Sequence, residues 1–374
     1  MAVRLLHVAD VHLGRGFAYL GDAAASRRQD LVETFERICT LALEKDVSIV
    51  LIAGDLFDSF NPAAPLVDLV RSQLARLQSA GVRTFVAPGD NDSSWYEGSV
   101  WQTTTFPGTH VFSSATFQAP QQLEVGGVRF TIHGLAHNPV ICPAPLEALH
   151  PSDSGVHIAL MHATVDPPES MPVERRFLPV SRLDLFHSGM SYTALGHVHS
   201  RQTYEHGGAV MAAYPGSPEG LTQAEAGNRY VALLNFDGGA PQVEFALVNS
   251  RFVRSERLNV TGCSHEDIVR KLGLVSRDDV LLTARLVGYP NDLVDTSGIR
   301  AALTDAFFWL EVHDNTRVSL SDIVERMAAE STIGGRFART LRRRIAATVD
   351  ADERATAELA LKLGLNAMRQ RSSP

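Results

Sequence analysis

Five short apolar runs in this chain each end in residues able to bind a metal, and this restricts the fold more than any bulk property. Leu5-Leu6-His7-Val8-Ala9 leads to Asp10 and His12, and Ile49-Val50-Leu51-Ile52-Ala53 leads to Gly54 and Asp55. Thr84-Phe85-Val86-Ala87 precedes Gly89-Asp90-Asn91-Asp92, and Ile158-Ala159-Leu160-Met161 precedes His162. Tyr192-Thr193-Ala194-Leu195 runs into Gly196-His197-Val198-His199. Short apolar runs bounded by Gly or Pro read as buried strands. In open α/β sheets, ligands bind beyond the carboxyl ends of such strands.

Taken singly, each piece is weak. Asp-x-His occurs by chance, a lone His162 is more often a hydrogen-bonded histidine at a strand end, and Gly54-Asp55 is commonly a turn. Five consecutive strand exits carrying ligand types are much harder to obtain by accident. Mixed carboxylate and imidazole donors suit divalent Mn, Fe or Zn better than Ca or Mg, which prefer oxygen shells.

Strand and helix signals alternate at the start, which predicts a parallel sheet with crossover helices. Residues 27–45 read as a helix with Leu31, Phe35, Ile38 and Ala42 on one face. A second helix is expected after Asn61-Pro62, with Asn61 as the cap, Leu66, Leu69, Val70, Leu74 and Leu77 as the stripe, and Gly81 as the stop. From about residue 110 to 250 the strands crowd together around Gly126-Gly127 and Gly238-Gly239, predicting a second, more antiparallel sheet. The expected divisions are 1–250, a small α+β unit over 251–330, and C-terminal helices over 331–374. In the α+β unit, Ser264 and Asp267 form a capping pair and Val280–Leu286 a strand. In the C-terminal part, Asp350 and Glu353 start a helix carrying Leu361, Leu365 and Met368.

A chain of 374 residues with 45% hydrophobic content can bury a large core in more than one domain. The N-terminus enters a strand without a charged-then-apolar leader, and no apolar stretch approaches the roughly 18 residues that span a bilayer. A cytoplasmic chain with no membrane association is expected. Cys39, Cys142 and Cys263 are odd in number and widely spaced, which argues against a disulfide framework. The net charge of −8 is unusual for a nucleic-acid binder, although part of it belongs to the candidate site. Arg175-Arg176 and the group Arg336, Arg339, Arg342, Arg343 and Arg344 are the densest cationic clusters, and Arg336, Arg339 and Arg343 share a helical face.

The residues resemble the calcineurin-like metallophosphoesterases, whose pattern runs D-x-H, GD, GN-H, H and GH-x-H in this order. Within them, Leu6–Gly14, Ala53-Gly54-Asp55-Leu56-Phe57-Asp58 and Tyr214-Pro215-Gly216-Ser217 look most like SbcD-type and YhaO-type DNA repair exonucleases. The resemblance covers roughly residues 1–250. It implies an αββα sandwich of two packed sheets flanked by helices, with a DNA-capping module after it. It also implies two divalent ions, Mn before Fe, Zn or Mg. Asp10, His12, Asp55 and His199 would hold one, and Asp55, Asp90, His162 and His197 the other, with Asp55 bridging. Such a pair activates water for attack on a phosphodiester. Asp58 is expected to support a ligand from behind, and Tyr214 and Ser217 to contact substrate. The implied partners are DNA and an SMC-like coiled-coil ATPase of the SbcC/YhaN type, docked by the C-terminal helices. The sequence leaves a homodimer open.

One departure matters. Gly89-Asp90-Asn91-Asp92 stands where the family has Gly-Asn-His-Asp. Asp90 still offers an oxygen. Asn91 replaces the histidine that helps the leaving group depart, and an amide cannot transfer a proton near neutral pH. His133 or His137 on a neighbouring loop are the candidate substitutes. Two readings therefore stay open: a metal-dependent nuclease acting on DNA ends, and a catalytically weakened metal-binding subunit of a repair ATPase complex. A small-nucleotide phosphodiesterase is the third, and the cap-like second half speaks against it.

Overall fold

The computed structural model describes residues 2–117, 119–139, 145–149, 151, 154–168, 178–237, 239–317 and 322–370. Cys142, Arg175, Arg176 and Gly238 lie outside the described residues, as does the side chain of Met368. The chain divides into two compact units, Met1–Arg251 and Phe252–Pro374.

The first unit holds two six-stranded sheets. Across the first, the order is Gln242–Leu247, Tyr230–Phe236, Val3–Val8, Ile49–Ile52, Arg83–Val86 and Thr109–Val111. The last four of these run parallel, while the two late strands pair antiparallel at one edge. The second sheet runs Gln202–His206, Ala209–Tyr214, Tyr192–Gly196, Val156–His162, Val128–Leu135 and Gln121–Val125. Its antiparallel pairs lie only at the two edges, and its four central strands are parallel. The more antiparallel sheet expected from close strand spacing is thus a mixed sheet. The connection from Val156–His162 to Tyr192–Gly196 contains the helix Arg182–His187, which carries the chain back so that both strands exit at the same end. The turn at Gly126-Gly127 closes the edge hairpin with positive φ at both residues, as two-residue hairpins require.

One core lies between the sheets. Leu5, Ile49, Leu51 and Phe85 from the first meet Phe130, Ile132, Ile158, Leu160 and Tyr192 from the second. Outside the first sheet lie the helices Ala24–Glu44 and Ala64–Ser79, burying Leu31, Phe35, Ile38, Val70, Leu74 and Leu77. The expected Asn61 cap is not used: Ala63 occupies the capping position, and the proline of the first turn is Pro65. Gly81, at φ +83°, ends this helix as expected.

A buried ion-pair network ties the first helix to the chain after Tyr214. The Arg27 guanidinium donates to Glu219 at 2.8 Å and to Asp30 at 3.2 Å, and Thr34 and Ser250 both donate to Glu219. Arg27 and Glu219 are wholly buried, so each charge depends on the other.

The second unit begins with three strands, Phe252–Asn259, Arg277–Gly288 and Phe307–Thr316, paired in that order and all parallel. The helices His265–Gly273 and Thr296–Ala302 make the crossovers, so the small unit expected after residue 250 is built as βαβαβ with its three strands parallel. Ser264 and Asp267 close a reciprocal capping box. Three helices follow, Asp322–Ala329, Ile333–Ala347 and Ala351–Gln370, the last two filling the C-terminal span 331–374. Leu361 and Leu365 are buried beside Val324, Ala338 and Ile345, so this apolar stripe packs within its own unit. Arg339 donates to the Glu330 carbonyl and Arg342 to Glu325, which ties down part of the cationic group.

Candidate metal centre

All five strand exits converge in the first unit. Asp10, His12 and His199 present ligand atoms within 4.8 Å of one another, and so do Asp90, His162 and His197, and Asp10, Asp55 and His162. Asp55 lies between the first two groups: its Oδ2 is 3.5 Å from His12 Nε2 and 3.6 Å from His162 Nε2. Asp10, His12, Asp55 and His162 are buried, and Asp90, His197 and His199 are partly exposed.

The backbone is bent to achieve this. Asp10, His12, Asp55 and His197 all adopt positive φ, at 55°, 52°, 51° and 98°. Such conformations cost a non-glycine residue about 1–3 kcal/mol each and persist only where the surroundings enforce them. Asp10 N–H donates to the Gly54 carbonyl, His12 N–H to the Asp55 carbonyl, and His197 N–H to both Asp10 oxygens at 2.9 and 3.2 Å. Gly54 has φ +84°, and a Cβ there would collide with the His162 ring, so the position demands glycine.

Three of the four imidazoles, those of His12, His199 and His162, are oriented through the second nitrogen. His12 Nδ1–H donates to Asp58 at 2.9 Å, with Arg15 on the same carboxylate at 3.2 Å. His199 Nδ1–H donates to Glu225 at 3.1 Å, and Arg229 donates to the His199 carbonyl at 2.7 Å. His162 Nδ1–H donates to the Ala53 carbonyl at 3.0 Å. Donation through Nδ1 leaves the His12 and His199 Nε2 lone pairs facing each other at 3.3 Å. That arrangement is repulsive unless a cation or a proton sits between them. Three carboxylates and four imidazoles around such a point fit divalent transition metals, whose histidine ligands are held in this way by carboxylates and carbonyls.

The electrostatics agree. Burial disfavours the charged His162 ring, but Asp55 and Asp90 outweigh it and hold the ring well above its usual pKa. His12 follows the same pattern, with burial opposed by Asp58, Asp55 and Asp10. Burial raises Asp55. Asp90 resists the same burial because His162 and His197 bond to it, and its carboxyl stays well below the usual range. The upward directions of His12 and His162 both reflect the surplus of carboxylate charge around these rings, which bound cations would also neutralise.

Residues that the sequence did not mark complete the centre. Asp92 is fully buried and accepts from the backbone N–H of Gly89 at 2.8 Å, Leu56 at 3.0 Å, Asp55 at 3.2 Å and Phe57 at 3.4 Å. It fastens the Gly54-Asp55 loop to the Gly89–Asp92 loop, and burial together with the Asp55 charge pushes it up to about 7. Glu225 also accepts from Ser217 Oγ and Leu221 N–H. Burial opposes its charge, but the His199 hydrogen bond prevails and brings it down to about 2.

Several expected roles need correction. Tyr214 is wholly buried, with its hydroxyl donating to the Ala163 carbonyl at 2.7 Å and accepting from Val165 N–H, so it braces the fold and does not meet substrate. Ser217 is equally buried and donates to Glu225. Asp58, by contrast, sits behind His12 as a positioning residue, bonded to its Nδ1. Asn91 is turned onto Asp55, donating from its backbone at 2.9 Å and from its side-chain amide at 2.7 Å. His137 is buried beside the Asp90, His162 and His197 group, and burial lowers it to about 4, so near neutral pH it has no proton to give. His133 pairs with His157 at 3.2 Å.

A model of the calcineurin-like phosphoesterase family matches residues 3–201, more than half of the chain. The chain belongs to that family. This calcineurin-like phosphoesterase is similar to the DNA double-strand break repair protein Mre11 of Methanopyrus kandleri, at 32% identity over 280 residues covering 66% of this chain and 57% of that one. It is similar to the uncharacterized metallophosphoesterase YhaO of Bacillus subtilis, at 26% over 265 residues covering 68% and 63%. It is also similar to the Mre11 of Sulfurisphaera tokodaii, at 26% over 277 residues covering 72% and 68%. The chain thus spans less than two thirds of the length of the first two. The two six-stranded sheets of the first unit carry the residues that this family model matches. Among the described residues no helix is long and apolar enough to cross a membrane.

Proposed function

We propose that the chain is a DNA nuclease that cleaves phosphodiester bonds at two divalent ions, Mn first among them, in the repair of double-strand breaks. The observation that carries this reading is the placement of Asp55 between two three-donor groups, in a chain whose relatives include double-strand break repair proteins. Asp10, His12, Asp55 and His199 would hold one ion, and Asp55, Asp90, His162 and His197 the other. When bound, the pair supplies Lewis acidity and activation of water. The protein residues fix the donors: Asp58 and Glu225 orient His12 and His199, and Asp92 locks the two central loops. The fold offers no acid at Asn91, which favours slow cleavage of substrates with basic leaving groups.

On this reading the unit Phe252–Pro374 helps to hold DNA and to dock an SMC-like coiled-coil ATPase of the SbcC/YhaN type, and the complex works in the cytoplasm. A second reading, a weakened metal-binding subunit of such a complex, is favoured by Asn91 facing Asp55 and by the low pKa of His137. The deciding experiment follows end-labelled DNA and a nitrophenyl phosphodiester with and without Mn. Metal-dependent cleavage of both supports the nuclease, and inertness toward both leaves the subunit.

A further inference from the structure

Five large apolar side chains are exposed among the described residues of the first unit: Tyr19, Trp95, Tyr96, Leu183 and Leu247. Scattered exposed apolar residues need no explanation. The three aromatic rings, however, all lie on segments that follow metal-centre strands, Tyr19 in the short helix Ala18–Ala23 and Trp95 and Tyr96 in the turns after Asp92. Trp95 is 51% exposed and Tyr96 39%, and both follow directly after Asp92-Ser93-Ser94. Four residues of chain can span at most about 14 Å, so the Trp95 backbone lies within that distance of Asn91, which bonds Asp55.

The Trp95 loop is anchored as well as close. Trp95 N–H donates to Ser93 Oγ, and Ser93 Oγ–H donates to the His137 carbonyl, beside the Asp90, His162 and His197 group. Tyr96 packs against Phe60 with ring centroids 5.0 Å apart, which fixes the second ring. Tyr19 belongs to the other group: its backbone lies within about 14 Å of Arg15, four residues before it, whose guanidinium holds the Asp58 carboxylate behind His12. Arg15 and Arg28 add cationic charge on that side, Arg15 at Asp58 and Arg28 at the Gly16 carbonyl. Rigid aromatic rings beside cations are the means by which proteins hold unpaired bases without reading sequence. A closed duplex presents phosphates and groove edges instead, and offers no base face to a ring.

We infer that Trp95 and Tyr96 on one side of the metal centre, and Tyr19 on the other, form a stacking platform for the unpaired bases of a polynucleotide strand. The inference deepens the proposed function and rests on it: the strand that reaches the ions is a single one, frayed or free.

Trp95 reports on this directly. Trp101 is buried against Phe57 and Phe106, and Trp309 lies in the second unit, so the emission difference between wild type and Trp95→Phe isolates the exposed ring. The probes are a short phosphorothioate oligothymidylate, which resists cleavage, and a blunt duplex of equal length. The single strand should quench the Trp95 emission, and Trp95→Ala should weaken its binding about tenfold, as expected for one lost stacked base. Duplex affinity should move far less, Trp95→Phe should restore most of the loss, and the loss should persist at raised salt because stacking releases no counterions. A thermal melt checks that Trp95→Ala folds. Unquenched emission at saturation, or equal weakening toward strand and duplex, overturns the platform. Binding is read without turnover, so a chain that stacks the strand yet cleaves no phosphodiester fails only the nuclease reading.

Discussion

Asn91 donates twice to Asp55, from its backbone to Oδ1 at 2.9 Å and from its side-chain amide to Oδ2 at 2.7 Å. The residue standing where the resembled family pattern has histidine is therefore used to hold a carboxylate between the two donor groups. Its backbone contribution survives any substitution but proline, and its amide contribution does not.

The first consequence concerns leaving groups. A general acid contributes typically 10²–10⁴-fold, and most where the departing oxygen is basic. Asn91→His should raise DNA cleavage by about tenfold or more, while turnover of a nitrophenyl diester changes much less. Steady-state rates of both proteins on both substrates under saturating Mn test this. No rescue on DNA would remove Asn91 from the account of slow cleavage.

Metal content separates the two groups. Asp55 lies 3.5 Å from a His12 nitrogen and 3.6 Å from a His162 nitrogen, so Asp55→Ala strips a donor from both sides. His199 belongs to one group alone. Elemental analysis after gentle dialysis should find most metal gone from Asp55→Ala and about half retained by His199→Ala, by the two-ion count. Equal retention in wild type and Asp55→Ala would sink the bridging assignment.

The buried pair of Arg27 and Glu219 gives a prediction about stability alone. Glu219→Ala leaves the Arg27 guanidinium buried with Asp30 at 3.2 Å as its remaining ion-pair partner and strips acceptors from Thr34 and Ser250. Breaking one side of a buried pair typically costs about 3–5 kcal/mol. Urea denaturation should show that loss, and a change below about 1 kcal/mol, the scale of a surface pair, would mean water reaches the network.

The metal donors were legible because their signal is local: an apolar run, then a ligand at its exit, five times over. The residues that make them usable were not. Glu225 stands 26 positions from His199 and Asp92 37 from Asp55, and nothing near either announces its partner. Tyr214-Pro215-Gly216-Ser217 stood out as a pattern, yet Tyr214 and Ser217 are buried, since a pattern shows that a segment is constrained and not which way its side chains face. Strand direction in the second sheet was lost for a related reason, because close strand spacing suggests hairpins until the helix Arg182–His187 is seen to carry the chain back. The helix cap failed on a competing proline: Asn61-Pro62 and Pro65 both fit a first turn, and the helix takes the later one.

Metal binding should depend on pH with a definite sign. His12 and His162 are held above the ordinary imidazole value of 6.5 in the metal-free chain, His162 well above it. Their protonated forms stabilise that chain below 6.5, and the contribution is lost as pH rises through the folded values. Asp92, raised to about 7, adds a loss of the same sign. Bound metal requires these imidazoles deprotonated. The rise in Tm produced by Mn should therefore grow from about pH 6.5 to 8.5, while the metal-free Tm falls. A Mn-induced shift independent of pH would mean that these rings are not ligands.

Glu225 yields the sharpest test of the surrounding shell. Its carboxylate takes the His199 Nδ1–H at 3.1 Å and is held below its usual pKa chiefly by that bond, against the pull of burial. Glu225→Gln keeps the length and the acceptor oxygen but removes the charge that makes His199 Nε2 a stronger donor. Arg229 still holds the His199 carbonyl, so the loop should stay in place. Loss of such a partner typically costs 10–100-fold in metal affinity. Calorimetric titration of the stripped protein with Mn should then show one of two binding steps weakened by about that factor. The other step, carried by Asp90, His162 and His197, should keep its affinity, since His162 is oriented by the Ala53 carbonyl and not by a carboxylate. If both steps weaken together, the two donor groups act as one site. If neither moves, Glu225 merely fills space behind the ring.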